Sequence, residues 1–200
     1  ERIIASLPES YELSFDEQTL LKSMGVEHIP VPDGLSLAEA LLYVLNVIEN
    51  PDSNVRMLHG DTYIEDLPKG DNIIAVAASQ DDYVWETEST GTDSELVWCG
   101  YFSFEHRRKF TRALALSNGD FVRAVRQYAD SEGMSRMHID GWHDLGHVNT
   151  YFASRSKITT QRVVNSLKIS DGVVHKSGEN SEKSLAESAW FTHLPSPLRR

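Results

Sequence analysis

Short apolar runs alternate with helical patterns through the first half of this chain, and that alternation limits the possible folds more than any single motif. Arg2 to Pro8, "RIIASLP", is an apolar run closed by proline. The next segment, "SFDEQTLLKSMG", offers Ser14 as a helix N-cap, apolar positions at Leu20, Leu21 and Met24, and Gly25 as a stop. "VEHIPVP" then reads as a second strand. "SLAEALLYVLNVIEN" reads as an amphipathic helix, with Ser36 and Glu39 spaced as a capping box and Leu41, Leu42, Leu45 and Ile48 on one side. "NVRMLHGD" and "NIIAVAAS" are two more runs of strand length. Repeated strand and helix argue for an α/β fold: a Rossmann-like mixed, mainly parallel sheet flanked by helices.

Composition sets the scale and removes some partners. A chain of 200 residues, 40% hydrophobic and 24% charged, can bury a core and form one main domain. Its formal net charge of -11 would repel a phosphate backbone, which argues against nonspecific binding of nucleic acid or an anionic membrane. The single cysteine, Cys99, cannot form an internal disulfide, which suits a reducing compartment. No run has the length and apolarity of a membrane span, and no signal-peptide pattern opens the sequence. A cytoplasmic location is the resulting expectation.

Sheets of this kind bind ligands at the carboxyl ends of their strands, which draws attention to Asp61 where the "VRML" strand should finish. A Gly-Asp pair there can be a plain turn or can present a metal-binding carboxylate. Gly100 lies inside the strand "ELVWCGYFSF", where glycine weakens pairing unless something must approach the backbone closely. It therefore hints at a ligand surface. Two helical patterns follow, "EHRRKFTRALAL" and "DFVRAVRQYADSEG", and after them "GWHDLGH" presents Trp142, Asp144 and Gly146.

In that order, the strand-end Gly-Asp, "VWCGYFSF" and "GWHDLGH" resemble the sugar-phosphate nucleotidyltransferases of the GT-A-like class. Members carry a Gly-Asp, a Gly-Tyr beside an aromatic strand and a Trp-x-Asp-x-Gly. The resemblance spans about Glu1 to Tyr151 in element order. It implies that Asp61 and Asp144 are catalytic ligands of one Mg2+, an ion suited to oxygen donors. It implies further that Gly34, Leu35 and Gly60 contact the nucleotide, and that Gly100 and Trp142 face the acceptor sugar. The implied partners are a nucleoside triphosphate and a sugar phosphate, and the implied pathway is synthesis of cell-surface polysaccharide precursors. A phosphate oxygen of the acceptor would attack the α-phosphorus in line with departing pyrophosphate, so catalysis rests on positioning and charge neutralisation. Arg155, Lys157 and Arg162 follow Asp144 and form either a phosphate-facing cluster or a solvated basic patch.

The sequence departs from the family in two places. No glycine-rich, arginine-bearing loop for cradling the triphosphate occurs in the chain, so a fragment lacking the first strand and that loop is expected, with little activity alone. Gly146-His147 stands where the family has Gly-Thr. His143 and His147, four apart and near His138, would share a helix face as zinc ligands. Gly141 and Gly146 break such a helix, leaving polar contacts as the ordinary reading.

Residues 1–165 are thus expected to form the nucleotidyltransferase-like domain, and 166–200 a linker and a further start. That tail resembles the opening of an aminoglycoside-phosphotransferase-like kinase lobe, in which Lys176 on a strand and Glu187 on a helix would pair to hold ATP phosphates. Two other functional classes stay open. A GT-A glycosyltransferase usually shows Asp-x-Asp, a spacing that "HGDTYIED" lacks, and a noncatalytic binding or assembly module needs none of these carboxylates.

Overall fold

Helices begin where the sequence caps them. In the computed structural model the Glu39 N–H donates to Ser36 Oγ at 3.3 Å while the Ser36 N–H donates to Glu39 Oε2 at 2.8 Å, which is the capping box the sequence predicts. Ser14 and Glu17 repeat the arrangement. The structure describes residues 2–48, 53–79, 87–89, 95–158, 160–161, 165–170 and 173–178.

The order of elements follows the predicted alternation: β1 (Ile3–Pro8), α1 (Phe15–Ser23), β2 (Val26–Val31), α2 (Leu37–Val47) and β3 (Val55–Leu58). Then come β4 (Thr62–Ile64), β5 (Ile73–Ser79), β6 (Thr87–Ser89), β7 (Glu95–Phe104), α3 (Arg107–Leu116) and α4 (Phe121–Glu132). The chain continues through β8 (Ser135–His138), β9 (Trp142–Asp144), α5 (Val148–Lys157), β10 (Thr160–Gln161), β11 (Asn165–Ser170) and β12 (Val173–Gly178). β1 and β2 pair in parallel. The larger sheet runs β3-β7-β5-β8, with β6 also on β7. Its β5–β8 pair is parallel, whereas β7 is antiparallel to both β3 and β5. The fold is a mixed α/β, Rossmann-like one.

Two compact units can be distinguished. The first comprises Glu1–Gly60 and Ile64–Trp142, the second Asp61–Tyr63 and His143–Arg200. Asp61 is thereby grouped with the segment after β9. In the first unit, side-chain alternation sorts the strands onto two faces. Ile74, Val76, Trp98, Phe102 and Phe104 meet α2, α3 and α4 through Leu45, Phe110, Phe121, Val125 and Tyr128. Ala75, Ala77, Cys99 and Tyr101 face the other way, towards Ile64 and Trp142. Val44 of α2 also packs on Ile29 and Val31 of β2, so α2 lies under both sheets of this unit. In the second unit α5 is followed by the antiparallel β10, β11 and β12.

Among the described residues no helix is long and apolar enough to cross a membrane.

Candidate functional site

The two aspartates singled out by sequence meet over one glycine. Asp61 follows β3 and Gly60, and its carbonyl accepts from the Leu145 N–H at 2.8 Å. That bond ties the segment before β4 to the segment after β9. Asp144 closes β9 and is buried, with 7% exposure. Its carboxylate organises the loop into α5: Oδ1 accepts from the Gly146 N–H at 2.8 Å, and Oδ2 accepts from Thr150 Oγ1 at 2.7 Å. His147 Nδ1 lies 2.8 Å from the same Oδ2. A carboxylate at the start of a helix is also favoured by the helix dipole, and α5 has no side-chain cap bond from its own N-cap, His147. Asp144, three residues upstream, reaches the first turn of α5 through the Thr150 hydroxyl.

Gly146 is where the second carboxylate arrives. A Cβ on residue 146 would run into Asp61 Oδ2 and stand 3.0 Å from its Cγ. The Asp61 side chain thus rests directly on the Gly146 backbone, whose N–H is bonded to Asp144. Gly141 is similar within the first unit: a Cβ there would be 2.9 Å from Glu65 Cβ, and the Glu65 N–H donates to the Gly141 carbonyl at 3.0 Å. In "GWHDLGH" the glycines therefore serve close approach by neighbouring side chains as well as interrupting a helix.

Asp61 is exposed and Asp144 buried, which divides their work. Each carboxylate oxygen has two lone pairs. Asp61 Oδ1 accepts a long 3.4 Å contact from Thr62 Oγ1. Carboxylate oxygens are the donor type that suits a magnesium ion retaining several waters. Among the described residues, no three His, Cys, Asp or Glu side chains gather as a metal cage. His143 lies on β9, stacked on Tyr63 with ring centroids 5.6 Å apart, and His147 is at the α5 N-cap, so the pair does not share a helix face.

The remaining candidates are spread more widely. Gly34 adopts φ +78° in the turn between β2 and α2, followed by the partly exposed Leu35. The neighbouring turn after β1 reaches it through Ser10 Oγ, which donates to Asp33 Oδ1 at 2.7 Å. These two loops stand at the carboxyl ends of the parallel β1 and β2, the usual ligand edge of such sheets. Gly60 is in the turn after β3. Gly100 has φ +78° where the β5–β7 register shifts, two steps along β5 matching four along β7. Its place in the strand is explained by this bulge. Trp142 packs half-buried against the cluster of Cys99 and Tyr101.

Arg155 is exposed on α5, and Lys157 ends that helix. Arg162 lies outside the described residues. Lys176 is on β12 in a hairpin, opposite Leu167 of β11, and Glu187 lies outside the described residues. Sequence reasoning missed the roles of Thr150 and His147 as partners of Asp144. The available signal was Thr150 six residues beyond Asp144, a spacing that places it on the first turn of α5.

No protein-family model matches this sequence, and no curated protein matches it. The fold does match a solved structure, a crystal structure from Bacillus anthracis described as a glucose-1-phosphate thymidylyltransferase in complex with a sucrose. The TM-score is 0.57 at 11% sequence identity, over 80% of this chain and 78% of that chain. At that identity the likeness is one of fold: the chain has a nucleotidyltransferase-like α/β architecture.

Proposed function

We propose that this chain is a nucleotidyltransferase domain that acts on a nucleoside triphosphate and a sugar phosphate, with Asp61 and Asp144 holding Mg2+. The observation that carries the reading is the convergence of both carboxylates on Gly146, given that the chain has the fold of a protein described as a thymidylyltransferase. When bound, the ion would neutralise phosphate charge and polarise phosphoryl oxygens. Asp144 is held rigidly by the Gly146 N–H and Thr150 Oγ1, so it offers a preorganised oxygen. The exposed Asp61 is free to adjust to substrate. Arg155, in the same unit as both aspartates, is the proposed phosphate contact. A role in polysaccharide precursor synthesis belongs to the same proposal.

The test uses Mn2+, whose ligand preferences match those of Mg2+ at carboxylates, as a paramagnetic probe. Binding should broaden the amide signals of Thr62 and Gly146 first. Asp61→Ala should abolish that broadening while changing stability by no more than about 0.5 kcal/mol, as befits an exposed side chain. In a preparation competent for transfer, the same change should remove metal-dependent pyrophosphate release from a nucleoside triphosphate and a sugar 1-phosphate. Broadening centred elsewhere, or release that survives both Asp61→Ala and Asp144→Ala, would overturn the reading.

A further inference from the structure

The turn between α3 and α4, residues 117–120, carries the single Asn-Gly pair of the sequence. Both residues sit in the left-handed region, Asn118 at φ +58° and Gly119 at φ +83°. Glycine and asparagine are the residues that tolerate this conformation best. Gly119 is also constrained from outside the turn, because a Cβ there would stand 3.2 Å from Ser36 Oγ and 3.8 Å from Glu39 Cδ, the two partners of the α2 capping box. Conformation and space therefore both select glycine at this position.

The pair is unusual in that neither of its reactive groups is held. Nearby main-chain donors are tied down: the Ser117 N–H donates to the Leu114 carbonyl at 3.2 Å, and the Asp120 N–H to the Ser117 carbonyl at 3.3 Å. Among the described residues, neither the Gly119 N–H nor the exposed Asn118 side-chain amide makes a hydrogen bond. Asn72 shows the opposite arrangement at a similar φ of +53°. Its Nδ2 donates to Glu105 Oε2 at 3.3 Å, and its Oδ1 accepts from the Glu105 N–H at 2.9 Å and the Tyr128 hydroxyl at 2.7 Å. The N–H of the following residue, Ile73, donates to Ser103 Oγ at 3.1 Å. Asn72 is locked both at its amide and at the next nitrogen; Asn118 is locked at neither.

We propose that Asn118 is a site of spontaneous deamidation, and that the modification loosens the α3–α4 turn from the start of α2. The Gly119 nitrogen, on losing its proton to hydroxide, attacks Asn118 Cγ. The Cγ–Nδ2 bond breaks, and ammonia leaves with a proton taken from water, closing a succinimide ring; holding nucleophile and electrophile in neighbouring residues of one chain makes the step intramolecular. Water then opens the ring. Breaking the bond from Cγ to the Gly119 nitrogen gives aspartate, and breaking the bond from the Asn118 main-chain carbonyl carbon to that nitrogen gives an isoaspartyl link, in which the main chain runs through Cγ. Asparagine and water are consumed, and ammonia and a carboxylate are formed. The isoaspartyl link inserts one carbon into a turn that already lies against Ser36 and Glu39, so the turn must move away from α2. The proposal does not depend on the transfer reading.

The test ages the full 200-residue chain in mildly alkaline buffer and follows it by peptide mapping, with electron-transfer fragmentation to tell aspartyl from isoaspartyl. The peptide bearing Asn118 should gain one mass unit at least about tenfold faster than the peptide bearing Asn72, because both reacting groups are unbonded at Asn118. Asn118→Gly suits the left-handed φ and lacks the amide, so it should fold and show no gain in that peptide. Aged chain enriched in the isoaspartyl form should unfold at a lower urea midpoint than Asn118→Asp, which carries the aspartyl product, and its Glu39 amide should exchange at least about tenfold faster. The site is overturned if Asn72 converts faster, or if Asn118 in the folded chain stays intact while a free peptide of residues 116–121, LSNGDF, converts. Equal midpoints with unchanged Glu39 exchange would overturn the coupling to α2.

Discussion

Gly146 shows how one missing side chain can fix a site. Its Cα lies against Asp61 and its N–H is bonded to Asp144, so Gly146→Ala must displace one of the two carboxylates. The exposed Asp61 carboxylate can swing aside, so the change should cost no more than about 0.5 kcal/mol in a urea titration, while the broadening by Mn2+ should weaken. Asp144→Ala should cost about 1–3 kcal/mol, because it takes the acceptor from the Gly146 N–H and leaves the Thr150 hydroxyl the longer bond to the His147 carbonyl at 3.1 Å. In a urea titration that loss separates it from Asp61→Ala. Cys99 is a residue whose isolation has a measurable consequence. It is 1% exposed in the apolar cluster, and burial pushes its thiol pKa up to about 12. The native chain should therefore resist iodoacetamide at pH 8, reacting only on unfolding. Because the folded state holds this proton more tightly than the unfolded state, Cys99 leaves stability unchanged below pH 9 and reduces it progressively between about pH 9 and 12. A Cys99→Ala chain should lose that alkaline component.

At the scale of elements, the caps are where sequence and structure agree best. Ser36→Ala should destabilise the first unit by about 1 kcal/mol, the usual cost of losing an N-cap, measured by urea denaturation. The bond from the Ser36 backbone, and then that from its hydroxyl, hold the Glu39 carboxyl below its ordinary pKa of 4.5. The box therefore contributes fully above that value and fades as pH falls through the lowered folded pKa. Elements with such local signals were legible: α2 from Ser36 and Glu39, β7 from "ELVWCGYFSF", and α4 behind Asp120, whose side chain accepts from the Arg123 N–H. β4 was not, since three residues within "DTYIED" carry too little periodicity to separate a strand from a turn. α5 was hidden for a different reason. Its N-cap histidine makes no side-chain cap bond, and the carboxylate that holds its first turn through the Thr150 hydroxyl belongs to Asp144, on the preceding strand. Gly100 was legible as unusual, but a register shift in β5–β7 is a property of two strands and cannot be read from one. The site followed the same rule: Asp61 and Asp144 were visible as strand-end residues, while the glycine that joins them became meaningful only with Asp61 lying on it.

For the molecule as a whole, charge decides how the proposed substrates can bind. A net charge of -11 repels a nucleoside triphosphate, and Asp61 and Asp144 add two carboxylates at the place where its phosphates would lie. A divalent cation reverses the local sign, because it is the largest charge in such a site. Removing one carboxylate should then have opposite effects in the two conditions. With EDTA present, Asp61→Asn deletes a repulsive charge, and its affinity for triphosphate should equal or exceed that of the unaltered chain. With Mg2+ present, Asp61→Asn also deletes a metal ligand, and affinity should fall by about tenfold, equivalent to about 1.4 kcal/mol. Ionic strength must be held constant, since screening over a Debye length of about 8 Å at physiological salt would blur the comparison. Isothermal titration of the triphosphate into both proteins, with and without Mg2+, gives the four affinities required. Crossing of the two curves is the expected result. Parallel losses in both conditions would mean that Asp61 supports the loop and not the metal, and unchanged affinities would remove it from the site.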